Sequence, residues 1–165
     1  MRLKLGGMVY FGDPVHSVEG WTEGNEIGKL WRRFEELCEA YADIIEEHAV
    51  ELGVAYEIHI AYPETEVKEY HIFVGIETKG PVDYPLELFY KELPETQYAV
   101  FTMKGLEMAK EIAAIYTDWL PKSEYVESYP MLIQRYDMTR FKGLDDPDSE
   151  IDVMLPVRKA DEVDK

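Results

Sequence analysis

Three side chains in the middle of the chain, Glu57, His59 and His71, are of the types that bind metal ions or transfer protons. They lie in two segments of alternating apolar residues, which predict a pair of strands. If the turn between these strands is centred near Thr65, all three side chains share one face with Phe73. Such a face could be a three-ligand metal site with an open position, or the polar lining of a cleft. Because a fourth ligand is not evident, we predict a cleft, with no metal and no other cofactor.

A second group of candidates lies on the last two predicted strands, residues 131–136 and 150–157. In the last strand Ile151, Val153 and Leu155 suit the helix-covered side, so the alternate positions are expected on the opposite, concave face. The candidates expected there are Glu150, Asp152 and Met154, with Gln134 and Tyr136 from the neighbouring strand. A carboxylate beside an aromatic ring suits a flat, lipophilic cation, because the acid supplies charge and the ring a cation–π contact. From the pattern alone, an acid on an exposed face is an equally good interpretation.

Most sequence signatures of catalysis are absent. Gly6, Gly7 and Gly12 do not have the spacing of a phosphate-binding loop, and no Gly-x-Ser-x-Gly or His-Glu-x-x-His motif occurs. The acidic segment 145–148 lacks the alternating oxygen ligands of a calcium loop, which favours a solvated turn. Cys38 is the only cysteine and has acidic neighbours, so we predict a buried structural thiol and no disulfide.

The charge balance narrows the possible partners. The 165 residues include 34 acidic and 17 basic side chains, which give a net charge of −17. This field repels phosphate backbones and anionic lipids, so we predict no direct contact with nucleic acid or membrane. The N-terminus lacks the apolar run of a signal peptide, and a chain of this length can bury roughly 70% of its surface without disulfides. We therefore expect a soluble cytoplasmic protein, either a monomer or a small homo-oligomer.

Apolar periodicity predicts an element order that occurs twice. The first half is predicted to contain a strand at 2–11, one continuous helix at 27–52, and strands at 54–61 and 70–77. The second half is predicted to contain a strand at 97–103, a helix at 106–120, and strands at 131–136 and 150–157. The Pro-containing connector between the halves is predicted to hold one short strand near 86–90.

Two strand–helix–strand–strand units can join edge to edge into one antiparallel sheet. We therefore predict an α+β fold in which the sheet carries both helices on one face and a concave ligand groove on the other. The prediction is a single domain over residues 1–157, with pseudo-repeat halves at about 1–78 and 97–157 and a connector at 79–96. Residues 158–165 are predicted to be a flexible tail.

Several segments resemble a known family. They are LPETQYAVFTMKG at 93–105, IYTDWLPKSEY at 115–125, QRYD at 134–137 and SEIDVMLPV at 149–157, with IGKLWRRF at 27–34 and VGIE at 74–77. Taken together and in order, they resemble the GyrI-like small-molecule-binding domain, which is also the effector-binding domain of AraC-type and MerR-type multidrug regulators. The resemblance covers nearly the whole chain and implies the same duplicated fold.

The resemblance also implies a site. The family's central groove takes hydrophobic, often cationic, drugs, anchored in many members by a glutamate on the last strand, and Asp152 occupies that position here. A second family carboxylate often precedes the Tyr of the penultimate strand by two residues, where this chain has Gln134. Tyr136 and Trp119 match aromatic positions of the family, although Trp119 also lies on a helix stripe that suits core packing. The full expected ligand-binding set is Asp152, Met154, Gln134, Tyr136, Trp119, Glu57, His59, His71 and Phe73.

Three functions are compatible with these observations, and we rank them in the following order. The first is a stand-alone module that captures hydrophobic, cationic compounds without chemistry. The second, implied by some stand-alone GyrI-like proteins, is a hydrolase of strained cyclopropane-type electrophiles, with Asp152 acting beside Glu150 or Tyr136. The third is interaction with a protein partner, either gyrase, to which the family's name refers, or a separate regulator.

Overall fold

The computed structural model describes residues 1–18, 22–61 and 68–162. Within them the strands are β1 (Lys4–Gly12), β2 (Val54–Ile60), β3 (Tyr70–Glu77), β4 (Phe89–Glu92), β5 (Gln97–Lys104), β6 (Tyr125–Glu127), β7 (Met131–Asp137) and β8 (Glu150–Lys159). The helices are α1 (Glu26–Ala40), α2 (Ala42–His48) and α3 (Met108–Ala114), which continues through a π-helical segment (Ile115–Trp119) into α4 (Leu120–Lys122). None of these described helices is long and apolar enough to cross a membrane.

All of these strands belong to one antiparallel sheet, in the order β4–β1–β3–β2–β7–β8–β5, with β6 paired to β8. The two halves meet where β2 pairs with β7, from Val54 opposite Asp137 to Ile60 opposite Met131. The predicted α+β class and the duplicated strand–helix–strand–strand order are therefore confirmed. The connector contributes β4, which pairs with β1. Strand β6 spans three residues and has no counterpart in the sequence prediction.

Helix α1 is positioned by a capping contact at its start and by an apolar stripe. The side-chain oxygen of Asn25 accepts a hydrogen bond from the backbone N of Gly28 at 3.1 Å, which satisfies a donor of the first turn. Leu30 and Phe34, four residues apart, are buried against the sheet. These contacts hold α1 against β1 and β3 and direct Trp31 toward Glu57 of β2 and Tyr136 of β7.

The single helix predicted over residues 27–52 is wrong in its length. Tyr41 separates α1 from α2, and its backbone leaves the helical conformation (φ −124°, ψ 35°). After α2, Ala49 forms an antiparallel β-bridge with Thr78. This bridge returns the chain to the end of β3 before β2 begins, which a continuous helix over the same residues could not do.

Both faces of the sheet are packed. On the helix-bearing face, the buried side chains include Leu30, Phe34, Ile72, Val74, Ile76, Met108, Ile115, Ile151, Val153 and Leu155. On the opposite face, they include Leu3, Leu5, Ile58, Phe73, Leu93, Ile133 and Met154. The Met1 amino group, which precedes β1, donates a hydrogen bond to the backbone oxygen of Thr96, which precedes the edge strand β5, at 2.8 Å. The chain segments near the two edges of the sheet therefore lie close together. Side chains therefore fill the face on which the sequence predicted a groove.

The register of the β2–β3 pair corrects the prediction that His71 and Phe73 share a face with Glu57. His71 lies opposite Ile60, and Phe73 lies opposite Ile58, so both point away from Glu57. A shift of one residue in a strand register moves every side chain to the other face. The predicted turn centre falls outside the described residues. Because both faces of β3 are apolar, hydrophobic alternation could not decide this register.

A similar correction applies to β7 and β8. Gln134 lies opposite Val153, and Arg135 lies opposite Asp152. Gln134 and Tyr136 therefore lie on the helix-bearing face, away from Asp152. Arg135, which lies between them in β7, instead shares the opposite face with Asp152 and forms an ion pair with it.

The sheet extends beyond the predicted end of the domain. Arg158 and Lys159 belong to β8, where they lie opposite Val126 and Tyr125 of β6. The predicted tail at 158–165 therefore begins too early. Its last residues, 163–165, lie outside the described part of the chain.

Candidate functional site

A cavity of about 360 Å³ opens on the helix-bearing face, between α1, β2, β7 and the segment that follows β7. Its charged and aromatic lining residues include Trp31, Arg32, Glu35, Glu57, His59, Tyr136 and Phe141. The sequence predicted a groove on the opposite face, so the position of this cavity differs from the expectation. Glu57, His59 and Tyr136 are members of the predicted binding set that the structure brings together here.

Glu57 lies at the base of the cavity and is 4% exposed. Trp31 Nε1 of α1 donates a hydrogen bond to Glu57 Oε2 at 2.5 Å. His59 Nε2 lies 2.5 Å from the other oxygen, Oε1. Among the described residues, Glu57 has no ion pair with Lys or Arg, and its contact with His59 is an ion pair only when the imidazole is protonated. A buried carboxylate without a fixed cation is costly, and such groups concentrate at functional sites.

Three aromatic rings form one wall of the cavity. The Trp31 and Tyr136 ring centroids are 4.9 Å apart in an edge-to-face arrangement, and Phe141 meets Tyr136 at the same distance. The Tyr136 hydroxyl donates to Gln134 Oε1 at 2.9 Å. Burial and the negative charge of Glu57 raise the pKa of Tyr136 well above its usual range. The wall therefore presents a neutral phenol beside Glu57.

The mouth of the cavity carries more acidic than basic groups. Burial and the charges of Glu23 and Glu39 raise the pKa of Glu35. The lining cation Arg32 lies 3.7 Å from Glu23, measured from Nη2 to Oε2. This arrangement favours the approach of cations over anions.

Asp152, the anchor expected from the sequence, lies on the opposite face of the sheet. Arg140 and Thr102 donate hydrogen bonds to its carboxylate, the latter at 2.8 Å, and Arg135 Nη1 lies 3.5 Å away. Burial opposes ionisation, but the bonds from Arg140 and Thr102 outweigh it and hold the pKa of Asp152 below its usual range. Asp152 is therefore part of an ion-pair network and lies outside the cavity lining.

The other predicted site residues lie in several environments. Met154 and Phe73 are buried in the core of the opposite face. His71 is exposed on that face, so the three-ligand metal cluster is not assembled. Trp119 packs against aromatic rings of β5 and β6. Glu150 forms ion pairs with basic side chains of β5 and of the segment after β7.

Trp31 and Phe141 are among the cavity residues that sequence reasoning missed. Trp31 belongs to the apolar stripe of α1, where a core role is the ordinary interpretation. Its indole N–H is the distinguishing signal, because a buried Trp usually requires an acceptor. Phe141 follows β7 in an irregular segment, where no periodic pattern could identify it.

Replacing Asp152 by Asn is expected to lower the free energy of unfolding by about 1–3 kcal/mol near neutral pH, because Arg140 loses a charged acceptor. The pKa of Asp152 is lowered on folding, so its stabilisation is present above the unfolded-chain value of about 3.9 and is lost as the pH falls below it. Urea unfolding at about pH 7 and about pH 3 measures both effects. The difference between wild type and variant should shrink at the lower pH. A difference that stays constant would contradict the ion-pair description.

Comparison with known sequences identifies related proteins. The family model described as the GyrI-like small molecule binding domain matches residues 15–158. The transcriptional regulator BrlR of Pseudomonas aeruginosa is 31% identical over 153 residues, which make up 92% of this chain and 50% of BrlR. The chain thus spans half the length of this curated relative.

Solved structures with low sequence identity have the same fold. SAV2435, determined bound to tetraphenylphosphonium, aligns with a TM-score of 0.67 at 12% identity, over 99% of this chain and 93% of SAV2435. EcmrR, from the structure of an EcmrR–DNA complex, aligns with a TM-score of 0.59 at 12% identity, over 96% of this chain and 55% of EcmrR. At these identities the likeness concerns the fold alone.

Proposed function

The chain belongs to the GyrI-like small-molecule-binding domain family, and on that basis we propose that it binds a hydrophobic, cationic small molecule in the cavity on the helix-bearing face. We assign the acidic anchor to Glu57. The observation that carries the proposal is a carboxylate, 4% exposed, at the base of an aromatic cavity. Asp152 is less suited to this role, because it already pairs with Arg140.

The chemistry of the cavity matches a lipophilic cation. A nearly buried carboxylate gains most from a positive partner that is itself poorly hydrated, because less solvation is lost on binding. Trp31, Tyr136 and Phe141 offer aromatic surface, and ring faces attract cations. A volume of about 360 Å³ lies in the range of small-molecule sites.

Two relatives support a lipophilic cation as the ligand and a link to transcriptional regulation. SAV2435 was solved with tetraphenylphosphonium, a lipophilic cation, and BrlR is a transcriptional regulator. We propose that this domain itself makes no direct contact with nucleic acid, because its net charge of −17 repels phosphates. We propose a separate regulator or gyrase as a protein partner of this domain.

Calorimetric titration with tetraphenylphosphonium at about pH 8.5, where imidazole is neutral, tests the proposal. We expect saturable one-to-one binding, and weaker binding of the neutral compound triphenylphosphine oxide, which lacks the charge that Glu57 compensates. Equal affinity for both compounds, or no saturable binding, would overturn the proposed ligand class.

A parallel incubation with a cyclopropane-containing electrophile separates binding from hydrolysis. We expect capture without turnover. Ring-opened product in excess of one equivalent per chain, detected by mass spectrometry, would replace the binding function by the hydrolase.

A further inference from the structure

His59 brings a titratable cation against the proposed anchor. Its Nε2 lies 2.5 Å from Glu57 Oε1, its side chain is 23% exposed, and it lines the cavity. The other carboxylate oxygen accepts the neutral N–H of Trp31. Among the described residues, no Lys or Arg pairs with Glu57. An imidazolium at His59 is therefore the positive charge that can compensate Glu57 in the free protein.

We propose that protonated His59 compensates the charge of Glu57 in the free protein and is replaced in this role by the ligand. When a permanent cation binds beside Glu57, His59 releases one proton to the solvent, and the positive charge of the ligand then compensates Glu57. This inference rests on the function proposed above and adds a residue that sets the ligand charge. With protonated His59, the Glu57–His59 pair is neutral and suits a neutral aromatic compound. With neutral His59, the pair carries one negative charge and suits a cation.

The exchange follows from the charge balance of a partly desolvated site. One carboxylate compensates one positive charge well and a second one poorly, because the two cations then repel each other at low dielectric. A quaternary ligand cannot lose its charge, whereas an imidazolium loses a proton near neutral pH. The neutral ring keeps one N–H for Glu57, and the lost proton passes to the solvent.

The tyrosines that face His59 do not supply the released proton. The Tyr70 ring of β3 lies 5.7 Å from the His59 ring, and burial and the charge of Glu57 raise the pKa of Tyr70. Burial and Glu57 raise the pKa of Tyr136 on β7 in the same way. Both side chains therefore remain neutral phenols over the pH range in which imidazole titrates.

The charged groups of α1 that line the cavity act at its mouth. Arg32 stays protonated and lies against Glu23, so it contributes a constant charge. Burial raises the pKa of Glu35, so this carboxyl titrates at a higher pH than an ordinary glutamate. Ionised Glu35 also favours a cation, and a His59 variant is needed to separate the two contributions.

The proposed exchange makes cation affinity depend on pH with a defined sign. While His59 is protonated in the free protein, affinity for a permanent cation rises about tenfold per pH unit. It levels off once His59 is neutral, because no further proton is released. Affinity for a neutral ligand shows no such rise.

Tetraphenylphosphonium titrations in two buffers of different ionisation enthalpy count the released protons. In the wild type we expect one proton to be released with each bound cation over the pH range in which His59 is protonated, and none where it is neutral. His59→Gln keeps an N–H donor for Glu57 but cannot titrate, so its affinity should stay level with pH and no proton should be released. His71→Gln changes a histidine on the opposite face and should behave as the wild type.

Each outcome of this experiment decides a separate statement. Binding without proton release in the wild type would overturn the exchange and leave the proposed function intact. Proton release that persists in His59→Gln would assign the proton to another group, such as Glu35, and would also overturn it. Absence of binding at every pH would overturn the proposed function and the exchange together. The wild-type proton count needs no variant, so it decides the matter even if His59→Gln does not fold.

Discussion

Glu57→Gln is expected to weaken the binding of tetraphenylphosphonium by about 30- to 1,000-fold, equivalent to about 2–4 kcal/mol. Glutamine keeps the length of the side chain and an oxygen for the Trp31 N–H, but it removes the negative charge at the base of the cavity. Because Glu57 is 4% exposed, water screens that charge little. The ligand would retain its ring contacts, which contribute about 0.5–2 kcal/mol. Calorimetric titration at about pH 8.5, where imidazole is neutral, measures the difference.

Asp152→Asn is the matched control, because it removes the same charge from the same sheet. Its affinity for the cation should equal that of the wild type, since Asp152 lies on the opposite face and pairs with Arg140. Thermal unfolding of both variants establishes that each is folded at the temperature of the titration. Lost binding in Asp152→Asn with retained binding in Glu57→Gln would move the anchor to the last strand, as the family resemblance implied.

The order of the elements was predictable because apolar periodicity is a local signal. Leu30 and Phe34 recur at helical spacing and are the buried residues of α1. Alternating segments at 54–61 and 70–77 correspond to β2 and β3. The helix interruption at Tyr41 was not predictable in this way, since it depends on where Ala49 must meet β3.

The faces of β8 were predicted correctly, with Ile151, Val153 and Leu155 toward the helices, but those of β3 and β7 could not be predicted, because both sides of the sheet are apolar there. Ile72, Phe73 and Val74 are consecutive and all buried, so β3 has no polar side to mark solvent. A shift of one residue in the strand register then decides whether His71 lies on the same face of the sheet as His59 or on the opposite face. The same ambiguity in β7 explains the expectation that Tyr136 lies on the same face as Asp152, which is wrong.

The proposed anchor, Glu57, depends on a contact that no local pattern encodes. Trp31 and Glu57 are 26 positions apart, and they meet because α1 packs against β1 and β3 with the Trp31 side chain directed toward β2. Glu57 was still identifiable as a cleft residue, because a charged side chain between Tyr56 and Ile58 interrupts an otherwise apolar strand. Its role as the anchor required the position of α1.

Phe73→Ala is expected to lower the free energy of unfolding by about 3–5 kcal/mol, because its ring is 1% exposed and its loss leaves a cavity in the core of the opposite face. The ring covers two glycines. A Cβ added at Gly75 would lie 2.7 Å from Phe73 Cε1, and one added at Gly7 would lie 2.8 Å from Phe73 Cζ. Since these glycines have no side chain to fill the space, the site cannot collapse cheaply. Urea unfolding followed by circular dichroism measures the change.

Phe11→Ala is the matched control, because Phe11 is the same residue type on the same face of the sheet but is 59% exposed. Its loss should change the free energy of unfolding by less than about 1 kcal/mol. If Phe73 lined an open groove, as the sequence suggested, its replacement would cost as little as that of Phe11 and would weaken cation binding. A large loss of stability, with unchanged cation affinity in the folded protein, would instead show that Phe73 belongs to the core of this face and takes no part in the cavity beneath α1.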